Sequence, residues 1–432
     1  MSWFPIKLVS SVPQTPGSSG SPTRQLLWGQ GAATFGTQIM LVALPLVAAL
    51  TLKATPLQMG LLATAQTIPW LLVTLFAGLM IDNGSPRRIL WWSNVARGTL
   101  ILLIPLAYLL NFLSYPLLLV IALLYGVLNV FYDLALQTFV PSVVAKDQLV
   151  GANGQLESSR QVASIAGPGI GGALIHAITA PFTLLLGALV FFLSAFSIGR
   201  IAAQQETAVK SRRFDWREIR EGWQAVFGSN VLRPLVLAAA TYNFSAGIYM
   251  GVAILFMTRE LSVSAAGVGV VLAIQSVGGV LGALFVKNIT AQYGLGGTIW
   301  RMYLVAALGA CIAPLTLSSG SLAVVLVGGG SFLSSVAIVV SSVNAVSLRQ
   351  SVTPPQLLGR VNATARFVSF GVGSLGGIVG GLAAEQFGLR GAMFVIAGVA
   401  LLACLWVYFS PLRILRAWPP PEVKQPTTFD HQ

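Results

Sequence analysis

Side chains able to do chemistry are scarce in this chain, and the scarcity narrows its function. His176 and His431 are the only histidines, and Cys311 and Cys404 are the only cysteines, both inside apolar runs. These numbers are too small for a His-rich metal centre, a disulfide framework or a thiolate zinc site. No HExxH string occurs, no Ser–His pair lies inside an apolar run, and no two aspartates share one. Neither an enzyme nor a bound metal or cofactor is expected. Gly167, Gly169 and Gly172 match GxGxxG formally, as do Gly371, Gly373 and Gly376. Neither follows a strand and both sit in apolar sequence, so dinucleotide binding is rejected. A Walker loop is absent, which argues against ATP-driven work.

The informative charges are Arg97 and Asp133, which lie inside otherwise apolar segments. Counted from the helix ends, Arg97 lies about 13 Å and Asp133 about 10 Å in from the same side. Consecutive antiparallel helices would bring them together, and pairing would reduce the cost of burying each. Two roles are open for Asp133, a proton-responsive carboxylate or a fixed member of an ion-pair network. Uncharged polar residues form two further sets. Gln30, Thr34, Thr37 and Gln38 share one helical face. Tyr242, Asn243 and Tyr249 cluster in a later segment. Together with Asn129 and Tyr132 they are candidates for lining a cavity, with interhelical hydrogen bonding as the alternative.

The elements that must position these residues follow from the gaps between charges. Of 432 residues 55% are hydrophobic and 9% charged, against about 25% charged in a soluble domain. A charge inside a bilayer is costly, so long uncharged runs mark spans of about 20 residues. Residues 25–52, 54–81, 234–258, 261–286, 367–384 and 391–412 each hold one span, whereas 98–132, 161–199 and 302–348 hold two, each with a turn near its middle. Twelve helices result, because such runs are too long for barrel strands. The net charge of +13 needs no nucleic acid to explain it. With the N-terminus inside, the outer loops hold Lys53, Arg259 and Arg390, Arg97 lies within a span, and the other 21 of 25 basic residues fall inside. This bias orients the chain with both termini cytoplasmic.

The segment 1–24 is rich in Ser, Pro and Gly and reads as a flexible cytoplasmic tail rather than a signal peptide. A first six-helix bundle is expected over 25–203 and a second over 231–412, with a cytoplasmic tail at 413–432. Between the bundles, the linker 204–230 contains RRFDWREIREGWQAVF, in which Trp216, Ile219, Trp223 and Phe227 follow helical spacing. It reads as a short amphipathic helix on the membrane surface. An offset of 209 aligns Ser142, Asn153, Gly167, Gly171 and Gly172 with Ser351, Asn362, Gly376, Gly380 and Gly381. The fold expected is therefore all-α and polytopic, two parallel six-helix repeats with a path between them.

Two motifs carry a family resemblance. GLMIDNGSPRR (78–88) places Gly78, then Asp82 four residues later, then Arg87 and Arg88. It resembles the signature loop of the major facilitator superfamily, with Asn83 where a basic residue is usual. The resemblance implies a cytoplasmic latch that opens and closes with each transport cycle. GPGIGG (167–172) resembles the antiporter motif of exporters in that superfamily. Gly167 and Gly171 would form a close-contact face, and Pro168 would bend the helix beside Gly172. Segments 131–161 and 347–367 are similar to the branch of enterobactin exporters and macrolide efflux pumps. That branch often has an acid where this chain has Thr37 and an Arg where it has Leu136.

The resemblance implies a secondary transporter that exports a small amphipathic molecule, a siderophore or a drug, by alternating access with protons as the coupling ion. It also implies a monomer in the bilayer of a bacterial cell (inner) membrane. The alternatives are an uptake symporter and a non-transporting scaffold or sensor.

Overall fold

The computed structural model describes residues 22–415 apart from 75–76, 78–79, 82–83, 145–148, 202–215 and 355. Among them there are helices and no strands. The first six spans are α1 (Pro22–Leu46), α2 (Pro56–Leu72), α3 (Pro86–Leu109), α4 (Tyr115–Val143), α5 (Leu149–Ile178) and α6 (Ala180–Gly199). A short α7 (Trp216–Gly228) leads into α8 (Leu232–Leu255), α9 (Ala265–Tyr293), α10 (Leu295–Leu315) and α11 (Gly320–Val352). The last element, α12 (Leu358–Tyr408), is two spans that meet at Gly388, whose φ of 75° and ψ of 167° interrupt the helix. Ten of these helices are long and apolar enough to cross a membrane. With α12 crossing twice and α2 as the remaining span, the expected twelve are present.

The repeat seen in the sequence is written into the backbone. α1 ends in a π-helical turn at Val47–Thr51 and α8 in another at Phe256–Glu260. Each is followed by a non-glycine residue at positive φ, Lys53 (51°) and Ser262 (50°). Each next helix is then capped by a hydroxyl. Thr55 Oγ1 accepts from Gln58 N at 3.2 Å, and Ser264 Oγ accepts from Gly267 N at 3.2 Å. Such caps satisfy amides that the first helical turn leaves free. Asn111 (54°) pairs in the same way with Gly320 (63°), and Thr179 (77°) with Gly388 (75°). Every pair is separated by the offset of 209. The two halves thus share one chain path, including its least favoured conformations.

Within the first half α1 packs on α5 and α6, α3 on α4 and α6, and α2 on α4. In the second half α8 packs on α12, α11 on α9 and α10, and α10 on α12. The halves meet through α2 against α12 and α8, and through α5 against α9. α7 has one apolar and one polar face. Its Gly222 and Val226 are buried against α12, Glu221 pairs with Arg360, and Ile219 and Trp223 stay exposed.

Candidate functional site

Four helices of the first half converge on Arg97. Its side chain is 1% exposed although it carries a full charge. Nη1 donates to Asn129 Oδ1 of α4 at 2.7 Å, and Nη2 donates to Asn94 Oδ1 one turn earlier on α3. Asn94 Nδ2 in turn donates to Ser194 Oγ of α6 at 2.8 Å, and Ser194 Oγ donates to Gly29 O of α1 at 2.6 Å. The guanidinium lies 4.0 Å from the Tyr132 ring centroid and 4.6 Å from that of Phe191. Two aromatic faces are a favourable setting for a desolvated cation, each worth up to about 2 kcal/mol. The network continues from Tyr132, whose hydroxyl donates to Gln30 Oε1 at 2.5 Å, to Gln30 Nε2, which donates to Thr34 Oγ1 at 3.3 Å.

The ion pair expected between Arg97 and Asp133 is replaced by this arrangement. Arg97 gives its terminal nitrogens to two neutral amides, and its Nε has no hydrogen-bond partner among the described residues. Asp133 follows Asn129 by one turn on α4, partly exposed, within electrostatic reach of Arg97 and Arg160. The physical reason is depth along the helix. Asn129 and Asp133 share one face of α4, about 6 Å apart along its axis, and the guanidinium lies level with Asn129, which leaves Asp133 one turn beyond it. The result is a buried cation held by neutral amides, with a carboxylate one turn away.

The other candidates divide. Thr37 receives the Tyr125 hydroxyl at 3.5 Å, and the Cβ of Gln38 lies 2.5 Å from where a Gly167 Cβ would stand. Gln30, Thr34, Asn129 and Tyr132 therefore come together around Arg97, while Thr37 and Gln38 sit further along α1. Tyr242 and Tyr249 do not join them. They line a separate cavity of about 80 Å³ inside the second half, with Gln275 and Ser331. Tyr249 and Ser331 share a hydrogen bond of 3.4 Å. Asn243 packs instead against Gly373 of α12 and donates to Ala239 O at 2.9 Å.

Of the expected latch, Gly78 and Asp82 lie outside the described residues. Arg87 caps the end of α6, its Nη2 donating to Gly199 O at 2.6 Å. A cation there satisfies a carbonyl that the last helical turn leaves free. Arg88 is exposed beside it.

The GPGIGG residues lie on two seams. Gly167 faces α1. Gly172 faces the other half, where an added Cβ would stand 2.7 Å from Ala265 O and 2.9 Å from Gly269 Cα. The Pro168 carbonyl meets the same Gly269. Gly171 has more room, since its Cβ would come only to 3.8 Å from Ile39 Cα. The close partner along the motif is thus Gly172 rather than Gly171.

A second seam joins α2 to α12 and α8. A Cβ on Gly377 would stand 2.6 Å from Gly60 O and 2.7 Å from Thr64 Oγ1, and one on Gly251 would stand 3.2 Å from Gly60 Cα. Arg259 Nη2 reaches across to Ala54 O at 2.7 Å. Both seams run from the end that holds the turns at Lys53, Thr179, Ser262 and Gly388. The halves are closed against each other at that end.

Sequence reading missed Asn94, Phe191 and Ser194 around Arg97, and Gly60, Gly251, Gly269 and Gly377 on the seams. Asn94 could have been found from its spacing three residues before Arg97. The glycine-rich run 371–381 was visible as a rejected nucleotide motif and as the repeat of Gly167, Gly171 and Gly172, and neither reading pointed to the seam.

Comparison with known proteins now has a geometry to explain. Residues 26–377 match the Major Facilitator Superfamily. The chain is 26% identical over 406 residues to the multidrug efflux pump Tap of Mycolicibacterium fortuitum, covering 90% of this chain and 96% of that protein. It is 21% identical over 243 residues to the MFS-type transporter YvqJ of Bacillus subtilis (strain 168), where the match spans 55% of this chain and 58% of that relative. Among solved structures, the nucleoside transporter NupG superposes with a TM-score of 0.75 at 12% identity, over 90% of this chain and 99% of that one. A bacterial homologue of the iron transporter ferroportin, in an inward-facing state, superposes with a TM-score of 0.70 at 19% identity, over 90% of this chain and 98% of that one. Twelve spans in two repeats, halves meeting through α2, α5, α8, α9 and α12, and a match over most of the chain agree: this protein belongs to the Major Facilitator Superfamily and is a multi-pass membrane transporter.

Proposed function

We propose that the protein exports a small amphipathic molecule, drug-like or a siderophore, by proton antiport from the cytoplasm of a bacterial cell. The observation that carries this reading is the seat of the exporter-like GPGIGG motif. Pro168 and Gly172 lie on the seam with α9, where their contact with Gly269 holds one side of the path shut. The similarity to an efflux pump along nearly the whole chain supports the same direction. With the N-terminus cytoplasmic, the closed end faces outward and the path faces inward, ready to load from the cytoplasm. Asp133 supplies a carboxylate for the proton, and the Arg97 network holds a positive potential beside it. Substrate binds the inward-facing state and leaves from the outward-facing one, where a proton takes its place and is carried back to the cytoplasm.

Everted membrane vesicles carrying the protein test this. Under a proton gradient they should accumulate a fluorescent amphipathic drug or a metal-free siderophore, and a protonophore should release it. Accumulation confined to right-side-out vesicles would replace export by uptake, and insensitivity to the protonophore would remove the antiport.

Orientation has its own check. In a background with Cys311 and Cys404 changed to serine, Lys53→Cys should react with an impermeant maleimide in intact cells. Gln224→Cys on α7 should react only after permeabilisation. Both side chains are exposed, whereas neighbouring Ala54 is buried. The opposite pattern would invert the topology.

A further inference from the structure

Lys287 and Arg301 take no part in the transport path described above, yet they converge. Together with Thr290, Gln292, Asn344 and Ser347 they line a groove of about 830 Å³ between α9, α10 and α11. Lys287 lies six residues before the end of α9 at Tyr293, and Arg301 six residues after the start of α10 at Leu295. Both therefore stand about 9 Å from the turn between the helices. α9 has 29 residues, about 44 Å of helix, and outruns a hydrocarbon core of about 30 Å by roughly 7 Å at each end. The two cations thus lie level with each other near the edge of the hydrocarbon, where lipid phosphates meet the acyl region.

The lining suits an anion with a tail. No acidic residue is among the described lining residues, and Lys287 has no ion-pair partner among the described residues. Arg301 is held in place. Its Nη1 donates to Gly297 O at 3.1 Å, and its guanidinium stacks 4.5 Å from the Trp300 ring and 5.0 Å from that of Tyr293. Asn344, nearly buried, accepts from Thr290 Oγ1 at 3.0 Å, which sets a rigid polar floor. Val286, Leu295 and Val343 give the groove its apolar lining, and Leu284 on α9 and Val346 on α11 are exposed apolar side chains of the same helices.

We propose that this groove binds an anionic phospholipid, with its phosphate between Lys287 and Arg301 and an acyl chain along Val343 and Leu284. Two convergent cations at headgroup depth give the charge complementarity, and a fixed guanidinium gives the phosphate a preformed donor pair. The apolar lining distinguishes a lipid from a free phosphate.

The test uses the purified full-length protein in mild detergent and measures retained lipid by native mass spectrometry after exposure to phosphatidylglycerol or phosphatidylcholine. Wild type should retain phosphatidylglycerol at least fivefold over phosphatidylcholine. The K287Q/R301Q protein should lose that preference, whereas K287R/R301K should keep most of it. Val343→Trp, which fills the apolar side of the groove and leaves both charges, should also lower retention. Lys53→Gln, at the opposite end, should change nothing. Retention by K287Q/R301Q equal to wild type would overturn the site. Displacement by millimolar inorganic phosphate, together with normal retention by Val343→Trp, would overturn the lipid and leave a free-anion site. No transport is measured, so this outcome is independent of the export reading.

Discussion

Gly377→Val is expected to cut export at least tenfold while leaving the amount of protein in the membrane near normal. In the closed structure a Cβ at this position would stand 2.6 Å from Gly60 O and 2.7 Å from Thr64 Oγ1. Backbone cannot yield there without parting α2 from α12. Overpacking of this kind costs about 1–3 kcal/mol, but only in the state in which the halves touch at this end. A penalty confined to one of two states shifts their ratio by about 5- to 150-fold. Export needs both states, so turnover falls while folding of each half is spared. Thr64 is buried behind the seam, and a cysteine placed there should react faster with maleimide when Gly377 is valine. Gly171→Ala is the contrast, because its Cβ would have ordinary van der Waals room and activity should stay close to wild type. Normal export by Gly377→Val, with no change in labelling, would show that the seam does not open during transport.

The second large effect is expected at Asp133. Asp133→Asn should abolish accumulation driven by a proton gradient and preserve exchange of substrate at equal pH. Asn129, one turn earlier on α4, holds Arg97, so the substitution removes a titratable group without unpicking the buried network. A carboxylate beside a fixed cation favours its charged form when the two approach and its neutral form when they separate in a low-dielectric site. Alternation between those environments is a means of taking up and releasing a proton in each cycle. Both modes can be measured in one set of proteoliposomes. Parallel loss of exchange and gradient-driven export would assign Asp133 to the closing machinery instead, and full activity in both modes would exclude it from either role.

How much of this was legible in the sequence follows from which interactions leave a trace along the chain. Spans are readable because lipid excludes charge at every position, and twelve could be counted from where charge is absent. The repeat was readable because Gly167, Gly172 and their partners recur at a constant offset. The partner of Arg97 was not readable. Which turn of a helix meets its neighbour follows from packing: Asn129 and Asp133 share one face of α4, one turn apart, and the level at which α3 and α4 pack decides which of them meets the guanidinium. The same holds for Tyr242 and Tyr249, whose polar character was evident but which face a cavity within their own half. For the glycines, richness in the sequence does not say which of them touches across the seam. Gly171 fits the spacing rule, whereas Gly172 makes the contact.

Lys53, Asn111 and Thr179 adopt positive φ, as do their counterparts Ser262, Gly320 and Gly388. Four of the six are not glycine, and a left-handed conformation costs such residues about 1–2 kcal/mol. Residue identity differs within every pair, while the bend is the same. Such agreement is the mark of descent from a single six-helix ancestor that was copied and joined end to end. After the duplication side chains diverged freely, because each bend is imposed by the helices on either side of it rather than by the residue that makes it. The ancestor would then have worked as a pair of identical subunits, and today's linker between α6 and α8 is the join that made the pair permanent.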